Sequence, residues 1–404
     1  MSLIDFKPHF DNAYQEVFNK VIVSKEIGNF RFEPTLTKGK SLERVSYSLD
    51  NVLVRTVTRG AASTIDTITD TSELFTVNYE KELAFHLSDG EKVQAGDLNP
   101  GEVIGGQAAI KLATDFDAHF FGEVANAAYA FDTGDLTTLV STGVPFKESS
   151  TTVPQMATMM AAKLRRNNQT LTNLAFVTDS YGAGLMEQYL LAKDIDIAGS
   201  VYANGYAGPL RGAKIYVSEN LTGNAVLGLA TNPTDTNTIV YNGVTITFVA
   251  TLTGGASEIH LASTVDITRA NLAEWFNAGG ASSEAEGIDT GYSAASSADQ
   301  ALLTNITATN DNSANTLTIK QLGSGALVLS ETFTDGTDTW TLNFIDAYFG
   351  KKGAIDAVMM DKSEVDMRPT SDRRGTNIFS SILGGYKTFT DGSKKFLRVK
   401  LSRA

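Results

Sequence analysis

Four histidines, His9, His86, His119 and His260, stand far apart and in no metal-ligand spacing. None has a partner at motif distance, so each is read as structural. There is no cysteine, hence no thiolate nucleophile, no cysteine metal site and no disulfide framework. Thr37-Lys-Gly-Lys-Ser41 looks superficially like a phosphate loop, but Pro34 and Thr35 stand where its upstream glycine would fall. No nucleophile elbow, His-Glu-x-x-His or strand-linked Gly-x-Gly-x-x-Gly is present. Asp194 and Asp196 put two carboxylates on one strand face, and Asp335-Gly-Thr-Asp338 has a calcium-like look. Solvated acidic loops explain both more economically. No enzyme activity, metal or cofactor is expected.

Basic residues gather instead near the end of the chain, where positions 347–404 hold 12 basic and 6 acidic side chains. Arg368, Arg373 and Arg374 flank Pro369-Thr-Ser-Asp372, and the planar guanidinium fork suits bidentate pairing with a carboxylate. A solvated loop and a contact between subunits account for this cluster about equally well, and a DNA contact ranks third.

The charge of the chain is uneven. Of a net −13, the block between Gly223 and Asn343 supplies −10, from twelve acidic side chains against Arg269 and Lys320 alone. A nearly balanced chassis thus carries an acidic, Thr/Asn/Gly-rich insert. With 404 residues and 42% hydrophobic content, the chain is long enough for two or three domains with sizeable cores. Lacking disulfides, it must draw stability from packing or assembly. The first ten residues have no signal-peptide core, and no run nears the roughly 20 apolar residues of a membrane span, so cytosolic synthesis is expected. An acidic body repels phosphate, which argues against general nucleic-acid binding.

Which elements position these residues? Residues 1–44 read as an amphipathic helix bearing Phe10, Tyr14, Val17, Phe18 and Val21, then a basic arm. Residues 45–92 alternate through Val52, Val54 and Val57 to a tip at Gly60, and return through Phe75, Val77 and Tyr79, the pattern of a long hairpin or extended loop. Such an arm needs a neighbour to bury it. Asn99-Pro100-Gly101-Glu102 starts a helix predicted to reach about Asn126 through Ile104, Ile110, Leu112, Phe116, Phe120 and Val124, a spine of about 40 Å. Residues 93–198 add a helix at Val153–Arg166, a buried strand at Leu174–Thr178 and a helix at Tyr181–Ala192. Residues 199–221 end in a strand at Ala213–Val217. The insert, 222–345, contains the Asn242-Gly243 hairpin signal between Thr238–Tyr241 and Val244–Val249, and a helix presenting Leu272, Trp275 and Phe276 before Gly279-Gly280. Short strands at Leu303–Thr309, Thr316–Lys320, Leu327–Leu329 and Trp340–Phe344 follow. Residues 346–404 return with strands at Gly353–Met360 and Phe396–Leu401. The fold class is α+β.

In this order, the arm, extended loop, spine helix, helix-and-strand core, Gly212-Ala-Lys-Ile-Tyr-Val-Ser-Glu-Asn220 and Gly353-Ala-Ile-Asp-Ala-Val358 with its arginine-bearing loop resemble the major capsid protein of tailed bacteriophages, the Hong Kong 97 type of fold. The resemblance spans nearly all of the chassis. It implies peripheral and axial domains, and arms that interlock subunits into hexamers and pentamers of an icosahedral shell around double-stranded DNA. On that reading Arg55, Arg59, Arg368, Arg373 and Arg374 are candidate intersubunit contacts, and a portal protein and a separate scaffolding protein are expected partners. The chain starts at Met1 just before its arm, and favours such a separate scaffold. The insert resembles small β modules of phage structural proteins and is expected to project outward. Some relatives weld subunits through lysine and asparagine. No lysine lies between Arg44 and Lys81, so no such bond is expected. The rivals are a tail tube or sheath protein, a cellular encapsulating compartment, and an uncharacterised hydrolase or glycan-binding surface protein.

Overall fold

A computed structural model describes residues 12–14, 16–17, 22–32, 41–48, 52–57, 59, 62, 65–88, 100–149, 152–193, 212–287, 290–334, 338–369 and 375–403. The architecture is mixed α+β, in two units: residues 1–113 with 352–395, and residues 114–351 with 396–404. Strands are numbered β1 to β17, and the longer helices α1 to α4, along the whole chain.

In the first unit β1 (Ser41–Ser48) and β2 (Thr69–Thr76) pair antiparallel, Ser41 opposite Thr76 and Ser48 opposite Thr69. A hairpin is present, but its ladder lies nearer the base than expected: Val52, Val54 and Val57 fall beyond β1, and Val77 and Tyr79 are not on the return strand. β3 (Tyr79–Ser88) departs after Val77 and Asn78 to pair with β16 (Gly375–Lys387). β16 also pairs with β15 (Asp356–Pro369), across a register shift between Lys362 and Asp366. The strand expected from Gly353 starts three residues later, because Gly353 adopts φ +78° in a turn. Phe75, Val358 and Phe389 are buried together, with Phe32, Leu42 and Val77 packed against them. Arg44 ties the hairpin base to this core. Its guanidinium reaches Asp356 at 3.1 Å and Asp391 at 2.7 Å and lies 4.7 Å above the Phe389 ring.

Helix α1 (Pro100–Gly122) is 23 residues long, about 35 Å at 1.5 Å per residue. Its last turn, Glu123–Asn126, tightens to a 3-10 helix. Leu112, Phe116, Phe120 and Val124 are buried as expected, whereas Ile110 is exposed and shares a face with exposed Val103, two turns earlier.

The second unit is built on an eight-stranded sheet. Its path runs β11 (Ile306–Asp311), β12 (Thr316–Gln321), β7 (Thr222–Gly228), β14 (Thr339–Lys351), β17 (Phe396–Ser402), β4 (Tyr129–Phe131). β5 (Leu174–Thr178) branches from β14 and pairs parallel with β6 (Ala213–Val217). α3 (Ser180–Lys193) connects β5 to β6, and all five residues of β5 are buried, as a covered parallel strand requires. α2 (Val153–Arg166) buries Val153, Met156, Ala157, Met160, Ala161 and Leu164, one stripe at helical spacing.

β14 organises this sheet. One edge holds β7 along Thr339–Asp346 and then β5 along Tyr348–Lys351, while the other carries β17 along Phe344–Gly350. The positions where sequence charge breaks and recovers, 222 and 345, therefore fall inside one sheet. Asp346 is fully buried within β14 and accepts hydrogen bonds from Arg398 Nε (2.6 Å) and Nη2 (2.8 Å) and from Asn224 Nδ2 (3.0 Å).

The acidic block adds a four-stranded sheet ordered β10 (Glu258–His260), β9 (Val244–Val249), β8 (Thr238–Tyr241), β13 (Leu329–Glu331). Asn242 and Gly243 take φ +48° and +86°, the left-handed pair that a two-residue hairpin turn requires. α4 (Val265–Asn277) buries Leu272, Trp275 and Phe276 against strands of both sheets, and Trp275 Nε1 donates to Ser293 O at 2.9 Å.

Candidate functional site: an exposed hairpin and a buried charge cluster

Beyond the β1–β2 ladder, residues 52–57 and 65–68 run without ladder pairing and carry a row of apolar side chains in water. Val54 is fully exposed, Ile65 is 91% and Val57 85% exposed, and Leu53 and Ile68 are more than half exposed. β-branched residues favour this extended backbone but bury nothing there. Two strands alone are marginal in water. Arg55 pairs bidentately with Asp66 across the loop (Nη1–Oδ2 2.5 Å, Nη2–Oδ1 2.7 Å), and Leu53 N–H donates to the same carboxylate at 2.9 Å. The Arg55 guanidinium, with that N–H, holds the Asp66 carboxyl below the usual range. Arg59 is exposed near the tip. Arg368 is exposed at the end of β15, its guanidinium 5.6 Å from the Phe379 ring centre. Arg373 and Arg374 lie outside the described residues.

The acidic block shows a one-sided surface. Arg269 is fully buried on α4, where it donates to Leu229 O, pairs with Asp266 and meets Asn310 Oδ1 at 3.1 Å. Lys320 is half-buried, with Nζ 3.4 Å from Gly122 O, and burial pulls its pKa down. Arg269 is withdrawn from the surface and Lys320 is only partly exposed, so the fully exposed charged side chains of the block among the described residues are carboxylates, including Asp235, Glu274, Glu286 and Asp311. Asp338 corrects the sequence reading. It is no solvated loop residue but buried, accepting from Ala230 N–H (2.6 Å) and the Thr231 hydroxyl (2.9 Å) where β7 ends and β14 begins. Asp194, Asp196, Asp335, His9 and the 37–40 stretch lie outside the described residues.

The other three histidines sit apart. His86 Nδ1 meets Asn377 Oδ1 at 2.9 Å, His119 Nδ1 meets Asp115 O at 2.8 Å, and His260 Nε2 is 3.8 Å from Glu286. Among the described residues no group of His, Asp and Glu is arranged to hold a metal ion, and no helix is long and apolar enough to cross a membrane.

Sequence reading missed a third feature, a cleft of about 370 Å³ lined by Lys147, Glu148, Asp179, Tyr181, Glu219 and Arg403, among others. Arg403, at the end of β17, donates through Nε (2.7 Å) and Nη2 (2.5 Å) to the Asp179 carboxylate. Asp179 also accepts from Gly182 N–H at 3.0 Å, and Glu219 from Ser180 N–H at 2.8 Å, so the start of α3 is held by two carboxylates. Burial works against the Asp179 charge, but Arg403 and the Gly182 N–H outweigh it and keep its pKa low. Glu148 has no exposed side-chain area, and Arg403 Nη1 lies 2.9 Å from its Oε2. Burial, offset in part by Arg403 and reinforced by Asp179, pushes its carboxyl up to about 7. The only local signal was the Asp-Ser-Tyr-Gly opening of α3; the partners are 31 and more than 200 positions away.

No protein-family model matches the chain, and no curated protein matches it. Several solved structures are similar to it. A chain of Mycobacterium phage Che8 is 14% identical over 94% of this chain and 90% of that one, with a TM-score of 0.49. The capsid structure of the cyanophage P-SCSP1u is 12% identical over 91% and 85%, at 0.43. The capsid of an empty GTA particle is 11% identical over 95% and 97%, also at 0.43.

Proposed function

We propose that this chain is a major capsid protein of a tailed bacteriophage, a structural protein that assembles into the hexamers and pentamers of an icosahedral shell. The observation that carries the reading is the exposed hairpin: a charge-clamped arm with apolar side chains at Val54, Val57 and Ile65 that no described residue of its own subunit covers. Supporting it are the element order of the chassis and the exposed Val103 and Ile110 face on a long α1. Burying such side chains against a second copy is the free-energy source of assembly. Arg55, Arg59, Arg368, Arg373 and Arg374 supply polar contacts around these apolar ones. The arm has no lysine, so subunits are held without a covalent weld. A scaffolding protein guides closure, a portal protein occupies one vertex, and double-stranded DNA fills the shell, kept from adhering by an overall negative charge. The acidic block is an accessory domain on the outer face.

Negative-stain electron microscopy of the purified protein tests the reading. Closed shells or hexameric rings are expected when the protein is expressed alone or with candidate scaffolding proteins; stacked rings or tubes, or monomers under both conditions, would overturn it.

A further inference from the structure

The cleft around Glu148 holds more carboxylate than it neutralises. Arg403 is engaged through all three nitrogens: its Nε and Nη2 fork on Asp179, and its Nη1 donates to Ser402 O at 2.8 Å while facing Glu148 Oε2. Glu148 Oε1 has no hydrogen-bond or ion-pair partner among the described residues, although its side chain is entirely buried. The packing around it is tight. A Cβ on Gly182, in the first turn of α3, would sit 2.3 Å from Thr178 Oγ1 and 3.2 Å from Glu148 Oε1. Arg403 from the end of β17 and Asp179 from the start of α3 act on Glu148 directly, and the other charged and titratable groups lining the cleft are Tyr181 of α3, Glu219 from the β6–β7 connection and the neighbouring Lys147. With Glu148 ionised these groups sum to one excess negative charge; with Glu148 protonated they balance.

We propose that Glu148, Arg403 and Asp179 form a proton-operated latch that fastens the end of β17 to the 146–149 segment. The two segments are paired by backbone: Phe146 N–H donates to Lys400 O and Ser402 N–H to Phe146 O, both at 2.8 Å. Protonated, Glu148 is a neutral acid filling its niche beside an intact Arg403–Asp179 fork. Ionised, it leaves a buried charge that its surroundings do not balance, and the segment opens to let water reach Oε1.

The sign follows from linkage. The closed latch holds its proton up to about pH 7, whereas an opened, solvated Glu148 releases it near 4.5. Opening therefore increases as pH rises between those values and levels off above about 7, a total change on the order of a hundredfold. Hydrogen exchange of the full-length protein, corrected for intrinsic rates between pH 5 and 8.5, reads this directly in peptides covering 146–149 and 399–403. Protection is expected to fall with rising pH and plateau near 7, while a peptide over Val244–Val249 stays flat. E148Q is expected to abolish the pH dependence and keep the protection. A flat profile in the unmodified protein overturns the proposal even if E148Q fails to fold, and so does an E148Q variant that keeps the slope.

Discussion

Replacing Val54, Val57 and Ile65 together by serine removes the three most exposed apolar side chains of the hairpin without touching its framework. All three side chains are exposed in the subunit, and the Arg55–Asp66 pair and the β1–β2 ladder remain. Full burial of a valine or isoleucine contributes about 1.5–3 kcal/mol. Taking the lower figure, the three serines forfeit about 4.5 kcal/mol per docked arm, roughly three orders of magnitude in the contact's equilibrium constant. The concentration at which shells appear should rise by about the same factor, measured by light scattering and gradient sedimentation over a dilution series. Subunit stability should stay within about 0.5 kcal/mol of the parent in denaturant unfolding, because no buried contact is lost. Assembly at the parent's threshold, with the triple variant folded, would refute the argument that this arm is the adhesive surface.

Trp275→Ala should cost about 3–5 kcal/mol in chemical denaturation, since the ring is fully buried in the core of the acidic block and its N–H is bonded to Ser293 O. Arg398→Met strands the buried Asp346 carboxylate and should destabilise the subunit by about 3–5 kcal/mol. Adding Asp346→Asn should recover part of that loss, and an additive double variant would show the pair is not coupled. Asp132 is buried, which pushes its carboxyl up, but N–H groups of Thr142, Gly143 and Gly134 outweigh this and hold it below the usual range. Its stabilisation is complete above the unfolded value of about 3.9 and is lost as pH falls through the lower folded value. Asp132→Asn should be less stable at pH 7 and show a shallower decline in acid, read from thermal unfolding at pH 2–7.

Local patterns carried most of what the sequence disclosed. Asn242-Gly243, the α2 stripe and the apolar β5 run each state their structure within fifteen residues, because backbone sterics and burial periodicity act at that range. Pairing partners did not show. That β3 leaves the hairpin for β16, nearly 300 positions on, is a long-range pairing that alternation along one strand does not encode. Charge patterning misled at Asp338 and was silent at Glu148, since a carboxylate looks alike in sequence whether solvated or buried. The exposed hairpin was legible because its apolar residues alternate around a glycine tip; the Glu148 cleft was not, because its three principal residues come from distant segments.

β14 has a consequence for how the acidic block could be acquired, trimmed or exchanged. The block is not hung on a linker: thirteen residues of one strand run from it into the centre of the sheet, with β7 alongside. Cutting at 222 and 345, where the charge changes, would tear out β7 and leave half of β14 as a raw edge. Cutting between Thr231 and Asp338 keeps both strands and the clasp that joins them, but it takes β11 and β12 away and bares the edge of β7 that β12 covers. A lineage, or an engineer displaying cargo, that swaps what sits beyond that clasp must therefore supply a new strand to cover β7. The replacement is then mounted on two strands already paired within one sheet, so its attachment is set by their ladder.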